Sequence, residues 1–268
     1  MEQSAENNFN RIPPKYEFLP DEIDELTAEL LSERASEIPE EIRYITIEVD
    51  GNDNKYANIG RHIEREVFEE SFGNDSEEMI REYGPYEPAS VFFISFDREL
   101  SKATGALRAI GNSSRGLKTL NDAQSEPFNV SIDEAVQYHN IDNLDEVWDI
   151  GTAAVLPEYR ASRSMPSIQL YRTMYLSALK NNINHLVSIV DDKLLNTLVD
   201  RLAMPFVHLA DSTSGEYLGS EKSHAVYAYV PEFYDKMSAA MSSVTSHLGK
   251  NILSRLVNGS EDDSIILI

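Results

Sequence analysis

The chain has 268 residues, 41% of them hydrophobic, with 46 Asp and Glu against 23 Lys and Arg. That length and apolar content suffice for one large domain or two small ones. A net charge of -23 argues against nucleic acid as the main partner, because phosphate contacts need a basic face, and the absence of cysteine excludes disulfides, zinc–thiolate sites and cysteine nucleophiles.

The polar start, 1–14, predicts no secretory leader, and no apolar run approaches the roughly 20 residues of a membrane helix. The expectation is a cytoplasmic protein. Residues 1–16 read as a lead without regular structure. Over 20–37, Ile23, Leu26, Leu30 and Leu31 stand at helical spacing among acids and predict an amphipathic helix. Alternation over 42–49 predicts a strand, closed by the turn residues Asp50, Gly51, Asn52 and Asp53. A helix follows at 59–72, with Ile63, Val67 and Phe68 on one face. The apolar run 91–96 and the segment 105–110 predict a hairpin. Residues 111–145 read as a long insertion with one helix at 131–138, where Ser131 and Glu134 form a capping box.

Residues 147–155 predict a strand ended by Pro157. A helix over 166–181 would turn Ile168, Tyr171, Met174, Tyr175, Ala178 and Leu179 inward. A short apolar strand follows at 186–190, then a helix at 193–202, strands at 206–210 and 224–230, and one last helix from Pro231 to about 256. The tail, 260–268, is acidic and then apolar. The strand–helix–strand order over 147–190 implies a parallel pair, and the hairpins imply antiparallel ones. This is an α/β chain: a mixed sheet with helices on both faces.

The middle of the chain carries a strand, then Pro157, Tyr159 and Arg160, then a short loop into a helix. In this order of elements the unit resembles the GNAT acyltransferase superfamily. A turn before a helix N-terminus presents unpaired N–H groups and the positive helix end, which suit a pyrophosphate or phosphopantetheine phosphate. More of the chain, about 56–232, is similar to one branch, the acyl-homoserine-lactone synthases and N-acyl amino acid synthases. Val67 and Phe68 match an early helix motif, Gly105 and Arg108 a Gly-x-x-Arg strand, and Arg201 to Phe206 a later arginine–aromatic region. Trp148, Asp149 and Val155 match a Trp-Glu-x-x-Arg-x-x-Val strand. The sequence departs from the family at Arg163 and Met165, where glycines would stand. It departs from the branch at Asp149 for glutamate, and at Thr152 and Glu64 for arginines.

The resemblance implies a GNAT-like, mostly antiparallel sheet with one splayed parallel strand pair. It divides the chain into an acidic lead and helix (1–40), an acyltransferase-like domain (41–232) and a C-terminal helix and tail (233–268). The two end segments are candidate dimer elements. The implied activity is N-acyl transfer from an acyl-CoA or acyl-carrier-protein thioester to a small, amino acid-like amine. No covalent intermediate is required. Gly151 and the N–H groups of Ala153, Ala154 and Val155 would receive the pantetheine arm, and Arg160, Ser162, Arg163 and Ser164 the phosphates. Asp149 would take the amine proton or bind the amine, unless it is a strand-end carboxylate facing water. Ser188 would reprotonate the thiol, or is a satisfied core serine. Arg108 would bind an acceptor carboxylate, or forms a structural ion pair. Trp148 and Thr152 would flank the substrate.

Basic residues cluster in two islands, Arg98 to Lys118 and Arg160 to Lys180, where the motif needs positive charge. The six histidines, 62, 139, 185, 208, 224 and 247, show no metal-ligand spacing, and no metal is expected. The lost loop glycines and Thr152 also allow a second reading, a non-catalytic GNAT-like module binding an acyl thioester or a partner protein.

Overall fold

The computed structural model describes residues 16–52, 55–161, 166–259 and 263–267. It begins with α1 (Pro20–Glu33), opened by its proline and buried along Ile23, Thr27 and Leu30. β1 (Tyr44–Asp50) leads to α2 (Ala57–Phe72), whose Ile59, Ile63 and Val67 repeat every fourth residue and form one buried stripe. Gly60 lets this helix lie close on the sheet: a Cβ there would stand 2.4 Å from the Phe92 ring. Gly73, with φ 76°, ends α2 in the left-handed conformation that glycine adopts without cost.

The next elements are α3 (Ser76–Tyr83), β2 (Ser90–Asp97), β3 (Lys102–Ile110), α4 (Lys118–Asp122) and α5 (Ile132–Tyr138). The β2–β3 hairpin and α5 stand where the sequence predicts them, and the Ser131 hydroxyl accepts the Glu134 N–H at 3.2 Å. Then come β4 (Val147–Val155), α6 (Pro166–Lys180), β5 (His185–Asp191) and α7 (Asp192–Asn196), which runs on into a π turn over Thr197–Arg201. β6 (Val207–His208), β7 (Ser214–Tyr217), β8 (Ser220–Tyr229), α8 (Phe233–Ser243), α9 (His247–Asn258) and β9 (Asp263–Ile266) complete the described chain.

The strands form one sheet in the order β6-β8-β5-β4-β3-β2-β1-β9, with β7 paired to β8. Most pairs are antiparallel. β4 and β5 are parallel, as the sequence order predicts, and β9 adds a second parallel pair beside β1. On one face α6 packs with Leu170, Met174 and Ala178, and Phe233, Met237 and Leu256 of the C-terminal helices join the same core. On the other face α1 and α2 cover β1 to β3, and the α4–α5 segment covers β4, β5 and β8. Both end segments thus bury side chains in the cores of the central part.

Three expectations need correction. The single helix from Pro231 is two helices, because Val244 is extended and Ser246 caps α9 by accepting the Gly249 N–H at 3.1 Å. Leu179 is 46% exposed, since it stands about 100° past Ala178 and off the buried stripe. The helix expected over 193–202 is a short α-helix continued by the π turn.

Candidate functional site

β4 and β5 pair over only three rungs, Val147 with His185, Trp148 with Leu186 and Asp149 with Val187. Past these the strands diverge, because each is held by its other neighbour. β4 stays on β3 as far as Val155 opposite Gly105, and β5 stays on β8 as far as Asp191 opposite Ser223. The Ser188 hydroxyl closes the apex of the fork by donating to the Ile150 carbonyl at 2.7 Å. Among the described residues no strand covers the β5-facing edge of β4 beyond Asp149.

A bulge sits at the fork. Arg108 lies opposite Thr152 and Ala109 opposite Ile150, which leaves Gly151 without a partner. The Tyr83 hydroxyl donates to the Gly151 carbonyl at 3.1 Å. The bulge also swaps the faces of the strand. Trp148 and Ile150 before it, and Ala153 and Val155 after it, all pack on the α6 side, while Ala154 packs with α2.

The fork opens into a cavity of about 780 Å³ that runs through the sheet. Its α6-side lobe is apolar, walled by Ile168, Tyr171, Met174, Leu198 and Phe206, with Leu248 and Ile252 of α9 at its rim. The opposite lobe lies between α2, α3 and the β7–β8 turn, and is lined by Val67, Phe68, Phe72, Tyr83 and Tyr217. Pro166 and Ser167, at the start of α6, border the mouth, as do the exposed Lys193 and Arg201, which form no ion pair among the described residues. Burial pushes the Tyr171 hydroxyl up to about 12, with the Asp191 charge adding to the effect.

The structure brings Gly151, Thr152, Ala153, Val155, Arg160 and Ser188 to this cavity. Arg160 is already engaged, donating to Glu70 at 2.7 Å and to the Val155 carbonyl at 3.1 Å. Ala154, Trp148, Asp149 and Arg108 do not line it. Trp148 packs against Phe93 in the α6-side core, with ring centroids 6.0 Å apart. Ser162, Arg163, Ser164 and the Met165 beside them lie outside the described residues.

Arg108 is fully buried and donates to both carboxylate oxygens of Glu64, at 2.9 and 2.6 Å, to Glu87 at 2.9 Å and to the Tyr16 hydroxyl at 2.6 Å. Arg61 reaches the other oxygen of Glu87 at 2.6 Å, and the Thr152 hydroxyl donates to Glu64. Burial opposes the charge on Arg108, but Glu64 and Glu87 outweigh it and hold the guanidinium ionised. Burial likewise works against the Glu87 carboxylate, and Arg108 and Arg61 still bring it below its usual range. This cluster is an internal ion-pair network, and a substrate carboxylate would have to displace Glu64 or Glu87 to reach Arg108.

Asp149 is also fully buried, on the face toward α4. It accepts the Thr119 N–H, and the Thr119 hydroxyl at 2.9 Å, and so anchors the start of α4. Burial pushes its carboxyl up to about 7, against the opposing pull of those two hydrogen bonds. Close by, Lys118 donates to Glu82 at 2.7 Å, Asp122 at 2.6 Å and the Tyr217 hydroxyl at 2.9 Å. Burial alone would lower Lys118, but Tyr83, Tyr217 and Asp122 hold it well above the usual lysine value. The first basic island is therefore largely neutralised, with Lys102 on Asp24 as well. Tyr83 and Tyr217 escaped the sequence reading because α3 and β7 are short and polar, with little periodicity to mark them.

No protein-family model matches the sequence, and no curated protein matches it either. Solved structures do match. FeeM, an N-acyl amino acid synthase from uncultured soil microbes, is 17% identical over 72% of this chain and 94% of its own, with a TM-score of 0.50. BjaI, a CoA-dependent acyl-homoserine lactone synthase solved with SAM and isopentyl-CoA, is 11% identical over 83% of this chain and 93% of its own, with a TM-score of 0.53. At these identities the likeness establishes the fold. The fold is GNAT-like, as the sequence motifs imply.

Proposed function

We propose that the chain is an N-acyltransferase that moves an acyl group from an acyl-CoA or acyl-carrier-protein thioester to a small amine. The observation that carries this reading is the fork between β4 and β5, which leaves one strand edge lining a deep cavity. An extended pantetheine arm can pair with that edge as a missing strand would. Its phosphates would then lie at the cavity mouth, which the start of α6 borders and where the exposed Lys193 and Arg201 supply positive potential in an otherwise acidic protein. The acyl chain would enter the apolar lobe under α6.

In the transfer itself the amine nitrogen attacks the thioester carbonyl carbon. The N–C bond forms, the C–S bond breaks, the nitrogen loses a proton and the thiolate gains one. Ser188, at the apex, is assigned to the thiol, its hydroxyl turning from the Ile150 carbonyl to hand over the proton. Thr152 lines the cavity and donates to Glu64, so its free lone pairs can receive an amine N–H. Asp149, expected at the amine, is assigned a positioning role through Thr119 and α4.

A thermal-shift series with CoA and acyl-CoAs of rising chain length tests the donor site, since ligand binding raises Tm by mass action. Shifts that grow with chain length support it. Flat curves with acyl-CoA and with acylated carrier protein would overturn it. The burial of Asp149 and the engagement of Arg160 by Glu70 favour a second reading, a module that binds a thioester without turnover. Thiol release separates the two readings, and the chain has no cysteine to react with the thiol reagent.

A further inference from the structure

We infer that the acceptor is a hydrophobic primary amine carrying no carboxylate, and that it docks in the lobe between α2, α3 and the β7–β8 turn. The inference rests on the acyl-transfer reading above and names the substrate class for that site. With the donor along β4 and its chain under α6, this second lobe is the remaining approach to the fork.

Three features of the lobe favour such an amine. Its walls are aromatic and aliphatic: Phe68, Phe72, Tyr83 and Tyr217, with Val67 and Leu218. Ring faces attract an ammonium group and shelter an apolar substituent. Three cations around the lobe are engaged by carboxylates, and the cavity's Lys193 and Arg201, without an ion pair among the described residues, stand exposed at its mouth. Arg108 is held by Glu64 and Glu87, Lys118 by Glu82 and Asp122, and Arg160 by Glu70. A carboxylate seated at the fork would lose its water and find Arg108, Lys118 and Arg160 already paired, which is costly. At the fork the polar atoms facing the lobe are acceptors. The Gly151 carbonyl already draws a hydroxyl from Tyr83, and the Thr152 oxygen has given its proton to Glu64. Acceptors at that point match the N–H groups of an amine and repel a carboxylate.

The test compares matched pairs that differ only in the carboxylate, 2-phenylethylamine against phenylalanine and 3-methylbutylamine against leucine. Octanoyl-CoA and octanoylated carrier protein serve as donors, with thiol release and product mass as readouts. The amines are expected to show kcat/KM about 100-fold above their amino acids, the order of effect of leaving one buried polar group unpaired. Phe72→Ala is expected to raise the amine KM at an unchanged donor-induced shift in Tm. Equal or better turnover of the amino acids overturns the inference and leaves the acyltransferase reading standing. A bound thioester with neither class acylated also overturns it. Failure of every thioester to bind or react overturns both.

Discussion

Arg108 shows how one residue can be read two ways. Its Gly-x-x-Arg setting suggests a substrate anchor, yet its guanidinium is spent on Glu64, Glu87 and Tyr16. Removing it would strand the buried Glu64 carboxylate and leave the Glu87 charge to Arg61. Arg108→Met is expected to cost about 3–5 kcal/mol in urea unfolding, because breaking a buried pair costs far more than its net worth. Asp149 makes the complementary case. Its carboxyl, pushed up to about 7, holds its proton more tightly in the folded chain than in the unfolded one. The associated stability is fully present below the unfolded carboxylate value and is lost as pH rises through about 7. Wild type should therefore lose ground to Asp149→Asn between about pH 4 and about pH 7 in parallel denaturant titrations. A constant difference between the two would show that Asp149 does not titrate in that window.

At the scale of elements, the contact between α2 and β2 depends on Gly60. A methyl there would press on the Phe92 ring, so Gly60→Ala should destabilise by about 1–3 kcal/mol, read as a lower urea midpoint at unchanged m. The long periodic elements were legible in the sequence. β4 and α6 carry enough alternation or helical spacing to set their own limits, and the β2–β3 hairpin follows from two apolar runs around a polar turn. Elements whose identity depends on tertiary contact were not legible. β9 is a four-residue strand that needs β1 as its template. The break between α8 and α9 hides in a run of Ser and Thr, which favour caps over helix interiors. The alternation of the motif strand sets its limits, but Gly151 bends the pattern. Sequence can place Asp149 on β4, and cannot say that the bulge leaves it facing α4 rather than the cavity.

The whole molecule carries a charge of -23, and its cations are heavily committed to internal pairs. Self-repulsion among the remaining carboxylates should weaken the compact state at low ionic strength. Raising salt from roughly 50 mM to roughly 500 mM shortens the Debye length to a few ångströms and should raise Tm by several degrees. A Tm that falls with salt would mean that attractive surface pairs dominate instead. The same acidic surface sharpens the contrast at the cavity mouth, where Lys193 and Arg201 stand exposed without an ion pair among the described residues.

The chain's only tryptophan, Trp148, lies on the second of the three rungs that join β4 to β5, and is 7% exposed against Phe93. The protein therefore carries its own optical gauge at the hinge of the cleft. Emission excited at the indole should be blue-shifted at rest and should change in intensity when a ligand wedges the strands or fills the space beneath α6. Titrating that signal would follow cleft occupancy in real time, without a label and without requiring turnover.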